Sequence, residues 1–144
     1  MILGVTGTSR GATVEQMRQI RCFFIENNVT VLHHGDCIGV DVQAAKIAEF
    51  MGVKTVCHPP LNGAARARHK SSVILPAKEY LVRNRDIVDS VEQMIVVPFE
   101  IEEIIRSGTW MIYRYAKKQN VTRTLILPDG QMRVEKSTIN TIFG

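Results

Sequence analysis

The pattern that most limits how this chain can fold is a repeated switch in apolar spacing, from short continuous runs to one-sided helical faces. "MILGVT" (1–6), "VTVLHH" (29–34), "VKTVCH" (53–58), "QMIVVPF" (93–99) and "VTRTLIL" (121–127) read as strands. Between them stand helical stretches. Thr13-Val14-Glu15-Gln16 has the form of a capping box, and the helix it opens puts Val14, Met17, Ile20 and Phe24 on one side before stopping at Asn27-Asn28. "DVQAAKIAEFMG" (41–52), "EYLVRNRDIVDSV" (79–91) and "GTWMIYRYAKKQ" (108–119) complete the set. Strands apolar along both faces, alternating with helices, describe a parallel sheet covered on each side. The expected fold is a single Rossmann-like, doubly wound α/β domain over residues 1–130, with about five mainly parallel strands; residues 131–144 are expected to form a small C-terminal strand or arm.

In folds of this kind ligands sit beyond the carboxyl ends of the strands. Four polar segments fall there. The first, "GVTGTSRGAT" (4–13), brings Gly7, Gly11, the hydroxyls of Thr8, Ser9 and Thr13, and the guanidinium fork of Arg10 to the start of a helix. The second, "HHGDCIGVD" (33–41), holds Gly35, Gly39, Asp36 and Asp41. Asp36 and Asp41 suit sugar hydroxyls or a base, and either suits a helix cap equally well. The third, "RSGTW" (106–110), repeats the theme with Ser107, Gly108 and Thr109, and Trp110 could serve as a stacking platform or as core. The fourth is Arg83-Asn84-Arg85 on the helix before the fourth strand. Neither G-x-x-x-x-G-K-[ST] nor G-x-G-x-x-G occurs, so the expected ligand, a phosphate-bearing nucleotide, would be held without either of those loops.

Composition narrows the class. With 144 residues, 45% hydrophobic and 22% charged, the chain can bury a core without staples. No apolar run reaches membrane-span length, and the N-terminus lacks the basic region of a signal peptide. Three cysteines with no C-x-x-C spacing suggest free thiols and a cytoplasmic setting. A net charge of +4 permits polyanions without demanding them. The densest basic stretch, "ARARHK" (65–70), lies in a long irregular segment, 59–78, which is expected to be a loop able to fold over the ligand through Arg66, Arg68 and His69. His33, His34, Cys37, Cys57 and His58 gather near two strand ends. Yet neighbours along a strand point to opposite faces, so no metal site and no resident cofactor are expected.

Taken in order, "GTSRG", "HGDCIGVD", "RNRDIVD" and "SGTW" followed by "RYA" resemble the SLOG superfamily over roughly residues 1–130. That superfamily includes DNA-processing protein A-like proteins and the Lonely Guy or "lysine decarboxylase-like" phosphoribohydrolases. The resemblance implies a nucleotide-binding Rossmann-like domain, often a homodimer or larger homo-oligomer. It also implies ligand contacts at Gly7, Ser9, Arg10, Gly35, Gly39, Asp41, Arg83, Asn84, Gly108 and Thr109. One position departs from the hydrolases' P-G-G-x-G-T-x-x-E: counted from Gly108, the glutamate is replaced by Ile112. Isoleucine cannot do a carboxylate's work at a glycosidic bond. The expected function is therefore binding of a nucleotide or a nucleotide-derived signal, such as an ADP-ribose derivative, by a sensor or by a sequestering protein of the sort viruses use. The alternatives are an N-glycosidase acting on a nucleoside monophosphate through Glu100 or Glu103 (Glu102 is the remaining nearby acid), and a binder of single-stranded nucleic acid through loop 59–78. No membrane partner is expected.

Overall fold

A computed structural model describes residues 1–137. The chain runs β1 (Ile2–Gly7), α1 (Val14–Glu26), β2 (Val31–His34), α2 (Val40–Phe50), β3 (Lys54–Cys57), β4 (Val73–Ile74), α3 (Tyr80–Asp89), β5 (Gln93–Val97), α4 (Gly108–Lys118), β6 (Thr122–Ile126) and β7 (Met132–Glu135). The strands form one sheet in the order β4-β3-β2-β1-β5-β6-β7, parallel throughout except for the antiparallel β6–β7 pair. This is the expected Rossmann-like architecture with seven strands instead of about five. The first extra strand, β4, is two residues long inside the segment expected to be irregular, where Val73 pairs with Val56 and Ile74 with Cys57. The second, β7, falls within the expected C-terminal strand or arm; residues 138–144 lie outside the described ones.

Side-chain alternation along the strands builds two cores. Leu3, Val5, Ile95 and Val97 pack on one face against Ile20, Phe23 and Phe24 of α1 and Val40, Ala44 and Ala48 of α2. Met94 and Val96 point the other way, toward Ile87 and Val88 of α3 and Trp110, Ile112 and Ala116 of α4. Trp110 thus belongs to the core, 2% exposed, and does not present a stacking face. No helix among the described residues is long and apolar enough to cross a membrane.

The expected capping box forms at α1. Thr13 Oγ1 accepts from Gln16 N at 3.1 Å, and Gln16 Oε1 accepts from Thr13 N at 2.9 Å. Gln16 does more than cap. It is buried, and its Nε2 donates to the carbonyls of Pro98 and Ile126, each at 2.9 Å. One side chain therefore ties the start of α1 to the ends of β5 and β6, where backbone acceptors would otherwise be stranded.

Candidate functional site

From β1 the chain moves outward through β2, β3 and β4, then returns to place β5 on the other side of β1. The strand order reverses between β1 and β5, and a crevice opens beyond their carboxyl ends. A cavity of about 320 Å³ lies there. Gly7, Thr8, Ser9 and Arg10 line it from β1, Gly35, Cys37 and Asp41 from the β2–α2 turn, Tyr80, Arg83 and Asn84 from α3, and Phe99, Glu100, Arg106, Ser107, Gly108 and Thr109 from the β5–α4 connection.

The β1–α1 turn is fixed before any ligand arrives. Thr8 N donates to Val97 O at 3.0 Å, while Thr8 O accepts from Gly11 N at 3.2 Å and Val40 N at 3.1 Å. Gly39, with φ of 90°, is what lets α2 come so near: a Cβ there would overlap the Thr8 carbonyl oxygen and the Ser9 backbone. Gly39 thus supports the turn from behind and does not line the cavity. The start of α1 is also spent elsewhere. Ala12 N donates to Gln43 Oε1 at 2.7 Å, and the Thr13 hydroxyl donates to Pro128 O at 2.8 Å. The expectation that α1 offers its positive end to the ligand is corrected on this ground.

The start of α4 is different. Ser107 Oγ accepts from Trp110 N at 3.3 Å, and the Gly108 and Thr109 amides ahead of it have no backbone carbonyl within the helix to reach. They face the crevice with the positive end of the helix behind them. Arg10 stands opposite, its guanidinium carbon 4.3 Å from the centre of the Phe99 ring, with no ion pair among the described residues.

The floor holds the most constrained pair. Arg83 is 3% exposed, and its Nη1 donates to Gly35 O and, at 3.1 Å, to His58 O. Its Nε donates to Asn84 Oδ1 at 2.8 Å. Among the described residues no carboxylate lies within ion-pair distance of it. Because a guanidinium only donates, the Asn84 oxygen must face it, and the Asn84 Nδ2 group is turned away. That nitrogen is buried and has no hydrogen-bond partner. Asp41 Oδ2 accepts from Gly35 N at 3.0 Å and Cys37 N at 3.3 Å. Burial outweighs these bonds and the nearby Arg83 charge, so the Asp41 pKa is pushed up to about 6. The Cys37 thiol is also held above its usual range, first by burial and then by Asp41, which makes it a poor nucleophile.

Three expected residues lie away from the cavity. Asp36 is fully buried and collects Arg66 Nε at 3.0 Å, Arg68 N at 3.2 Å and His69 N at 3.1 Å. It anchors the 59–78 segment to the end of β2, so that segment packs beside β3 and contributes nothing to the crevice. Glu103 pairs with Arg114 at 2.9 Å on the exposed surface. Arg85 stacks on Tyr115 at 5.7 Å instead of reaching the cavity. Glu100 does line it, with Oε1 accepting from Trp110 Nε1 at 2.9 Å. Sequence reasoning missed the rim residues Tyr80 and Phe99; both are aromatics next to segments already singled out, and only the fold turns them toward the ligand space.

The histidines and cysteines separate by face, as strand alternation requires. His33 Nδ1 and His58 Nε2 meet at 2.7 Å on one side. On the other, His34, Asp36 and Cys57 bring ligand-type atoms within 4.8 Å of one another. Those donors do not fit a metal. His34 Nδ1 accepts from Asp36 N at 3.0 Å, which leaves the proton on Nε2, 2.7 Å from Ser71 Oγ, and both Asp36 oxygens are already taken. Burial, first of all, and the occupied Nδ1 disfavour protonation of His34, and its pKa is lowered to about 4.

No family model matches the chain, and no curated protein matches it. Among solved structures it is similar to the molybdenum cofactor binding protein from the phototrophic bacterium Rippkaea orientalis. That match has 21% identity and a TM-score of 0.67, and it covers 88% of this chain and 76% of that one. It is also similar to TM1055, with 16% identity and a TM-score of 0.61, over 85% of this chain and 71% of that one. At such identities the likeness is one of fold, and it agrees with the Rossmann-like topology described above.

Proposed function

We propose that this chain binds a phosphate-bearing, nucleotide-type small molecule in the β1–β5 crevice and acts as a sensor or a sequestering protein. The observation that carries this reading is the floor of the cavity: a buried arginine with no carboxylate within ion-pair distance among the described residues, beside a buried asparagine whose amide nitrogen has no partner. An unpaired buried donor costs ~1–3 kcal/mol, and a ligand oxygen that reached it, after a side-chain shift opening the nitrogen to the cavity, would remove that cost. Around it stand the free amides of Gly108 and Thr109, the Ser9 hydroxyl and Arg10, all suited to phosphoryl oxygens. Three arginines face two carboxylates in the lining, Asp41 and Glu100, so the site favours an anion. A cofactor-binding protein among the structural neighbours supports small-molecule binding on this fold.

Native mass spectrometry of the purified protein, followed by calorimetry with AMP, ADP and ADP-ribose, tests the reading. A bound nucleotide is expected, with affinity falling at least tenfold in Arg10→Ala, a loss of ~1.4 kcal/mol. Affinity unchanged by that substitution removes Arg10 from the site, and no binding across the panel removes the reading.

A second reading, nucleotide N-glycosidase, is favoured by one observation, the presence of Glu100 in the lining. Against it, Ile112 lines the cavity where the hydrolases carry glutamate, and Glu100 is already engaged by Trp110. Chromatography for free base after prolonged incubation with nucleoside monophosphates decides between them. Nothing in the lining favours single-stranded nucleic acid, since the basic 59–78 segment commits Arg66 to Asp36.

A further inference from the structure

The outer surface of α1 and α2 carries a second cavity, a groove of about 370 Å³ floored by Met17, Ile47, Phe50 and Met51 and edged by Arg21 and Lys46. Phe50, the last residue of α2, is 94% exposed. An aromatic ring left that open beside two methionines marks a contact surface. Neither Arg21 nor Lys46 makes an ion pair among the described residues, so the edge offers two uncompensated positive charges.

The same chain presents the complementary chemistry at the β5–α4 connection. Ile101, Ile104 and Ile105 are exposed there, Ile105 at 87%. Glu102 lies among them, exposed and without an ion pair among the described residues, whereas Glu103 is held by Arg114. An apolar segment that carries an uncompensated carboxylate matches an apolar groove edged by uncompensated cations.

We propose that the α1–α2 groove of one copy receives the Ile101–Ile105 segment of a second copy, with Phe50 packed against the isoleucines and Glu102 set beside Lys46 and Arg21. Groove and segment are different surfaces, so each contact is heterologous. Two contacts related by a two-fold axis close a dimer, and an unclosed series extends. The segment is continuous with Phe99, Glu100 and Arg106 of the ligand cavity, so a docked neighbour holds one wall of that cavity.

Sedimentation velocity on the ligand-free protein, over the micromolar range, tests the contact independently of any nucleotide. Wild type is expected to self-associate. Lys46→Glu and Glu102→Lys alone each weaken association about tenfold, and the two combined restore it, with circular dichroism checking that every variant is folded. Phe50→Ser is expected to be monomeric. A wild type that stays monomeric, single variants that associate like wild type, or a double variant as weak as the sum of its parts each overturn the proposal. Monomeric wild type whose groove is taken by an added acidic amphipathic peptide would assign the surface to a different partner, and that result also overturns it.

Discussion

Replacing Asn84 by aspartate separates a binding role from a packing role, because the two predict opposite signs. The substitution keeps an oxygen for Arg83 Nε, now at 2.8 Å from Asn84 Oδ1, and replaces the partnerless Nδ2 with a second oxygen. The free protein then exchanges an unsatisfied buried donor for a carboxylate oxygen in the same place, so any gain comes from the pairing with Arg83 and not from removing a buried polar atom. It gains a carboxylate in direct contact with a guanidinium that has no ion pair among the described residues. Desolvation of the new charge offsets part of that gain, since a buried pair is worth less than its Coulomb attraction. The expected result is stability equal to wild type or higher by about 1 kcal/mol, a rise of ~2–4 °C in Tm for a chain of this size. Ligand binding moves the other way. A donor to phosphoryl oxygen worth ~1.5–3 kcal/mol is lost, and a negative oxygen takes its place. Affinity should fall by ~10–100-fold or more. Thermal melts without ligand, paired with calorimetry against the best nucleotide of the panel, read both quantities. A variant that melts well below wild type and binds normally would refute the argument, because Asn84 would then be structural and the cavity would lie elsewhere.

Gln16→Ala should cost about 3 kcal/mol in urea unfolding, since it removes half of the capping box and strands the Pro98 and Ile126 carbonyls; a loss under ~1 kcal/mol would contradict that accounting. His34 should make the fold acid-sensitive. Its folded pKa of about 4 lies below the ordinary 6.5, so its contribution is present above pH 6.5 and is lost as pH falls toward 4. His34→Gln is expected to flatten the slope of stability against pH by ~1.4 kcal/mol per unit in that window, whatever its baseline cost; an unchanged slope refutes it. Asp41 has the opposite sign, because its folded pKa of about 6 exceeds the ordinary 3.8. The folded state therefore holds that proton more tightly, and stability falls as pH rises from 4 to 6. Asp41→Asn should stabilise the protein by up to ~3 kcal/mol at pH 7 and by little at pH 4, and a gain equal at both pH values would refute the assignment.

The fold was legible because its signal is local. Alternating strand and helix periods, a capping box and glycines at strand ends each speak within a dozen residues. What stayed hidden depends on partners far along the chain. β4 consists of two residues whose strand character comes from pairing with Val56 and Cys57. Asp36, beside a glycine at a strand end, has the sequence context of a ligand acceptor. Its actual donors arrive from positions 66, 68 and 69, and its φ of 57° turns it toward them. Gly39 was expected to approach a ligand and instead approaches Thr8, so the need for a bare backbone was right and the neighbour was not. Arg83 and Asn84 were visible as residue types. Their distinction, burial without an acidic partner, exists only once Gly35 and His58 lend their carbonyls.

That distinction bears on how the proposed site would respond to its ligand. In the free protein the floor is held by backbone carbonyls; among the described residues Arg83 has no carboxylate within ion-pair distance, Asp41 acting on it only from farther off, and Asn84 Nδ2 has no acceptor. A ligand that supplies both a counter-charge and an acceptor binds the folded state alone, so occupancy at ~100 times Kd adds ~2.7 kcal/mol to stability. Amides that exchange through local opening feel that gain only where the opening breaks ligand contacts, which places it on α3, α4 and the β5–α4 connection, the elements that line the cavity on the side away from Gln16's anchor in α1. Ligand-dependent protection in hydrogen exchange should therefore concentrate in residues 80–89 and 99–110 and leave the α1 amides nearly unchanged. Uniform protection over the whole sheet would mean that the ligand stabilises the fold globally, without the local coupling that a sensor requires.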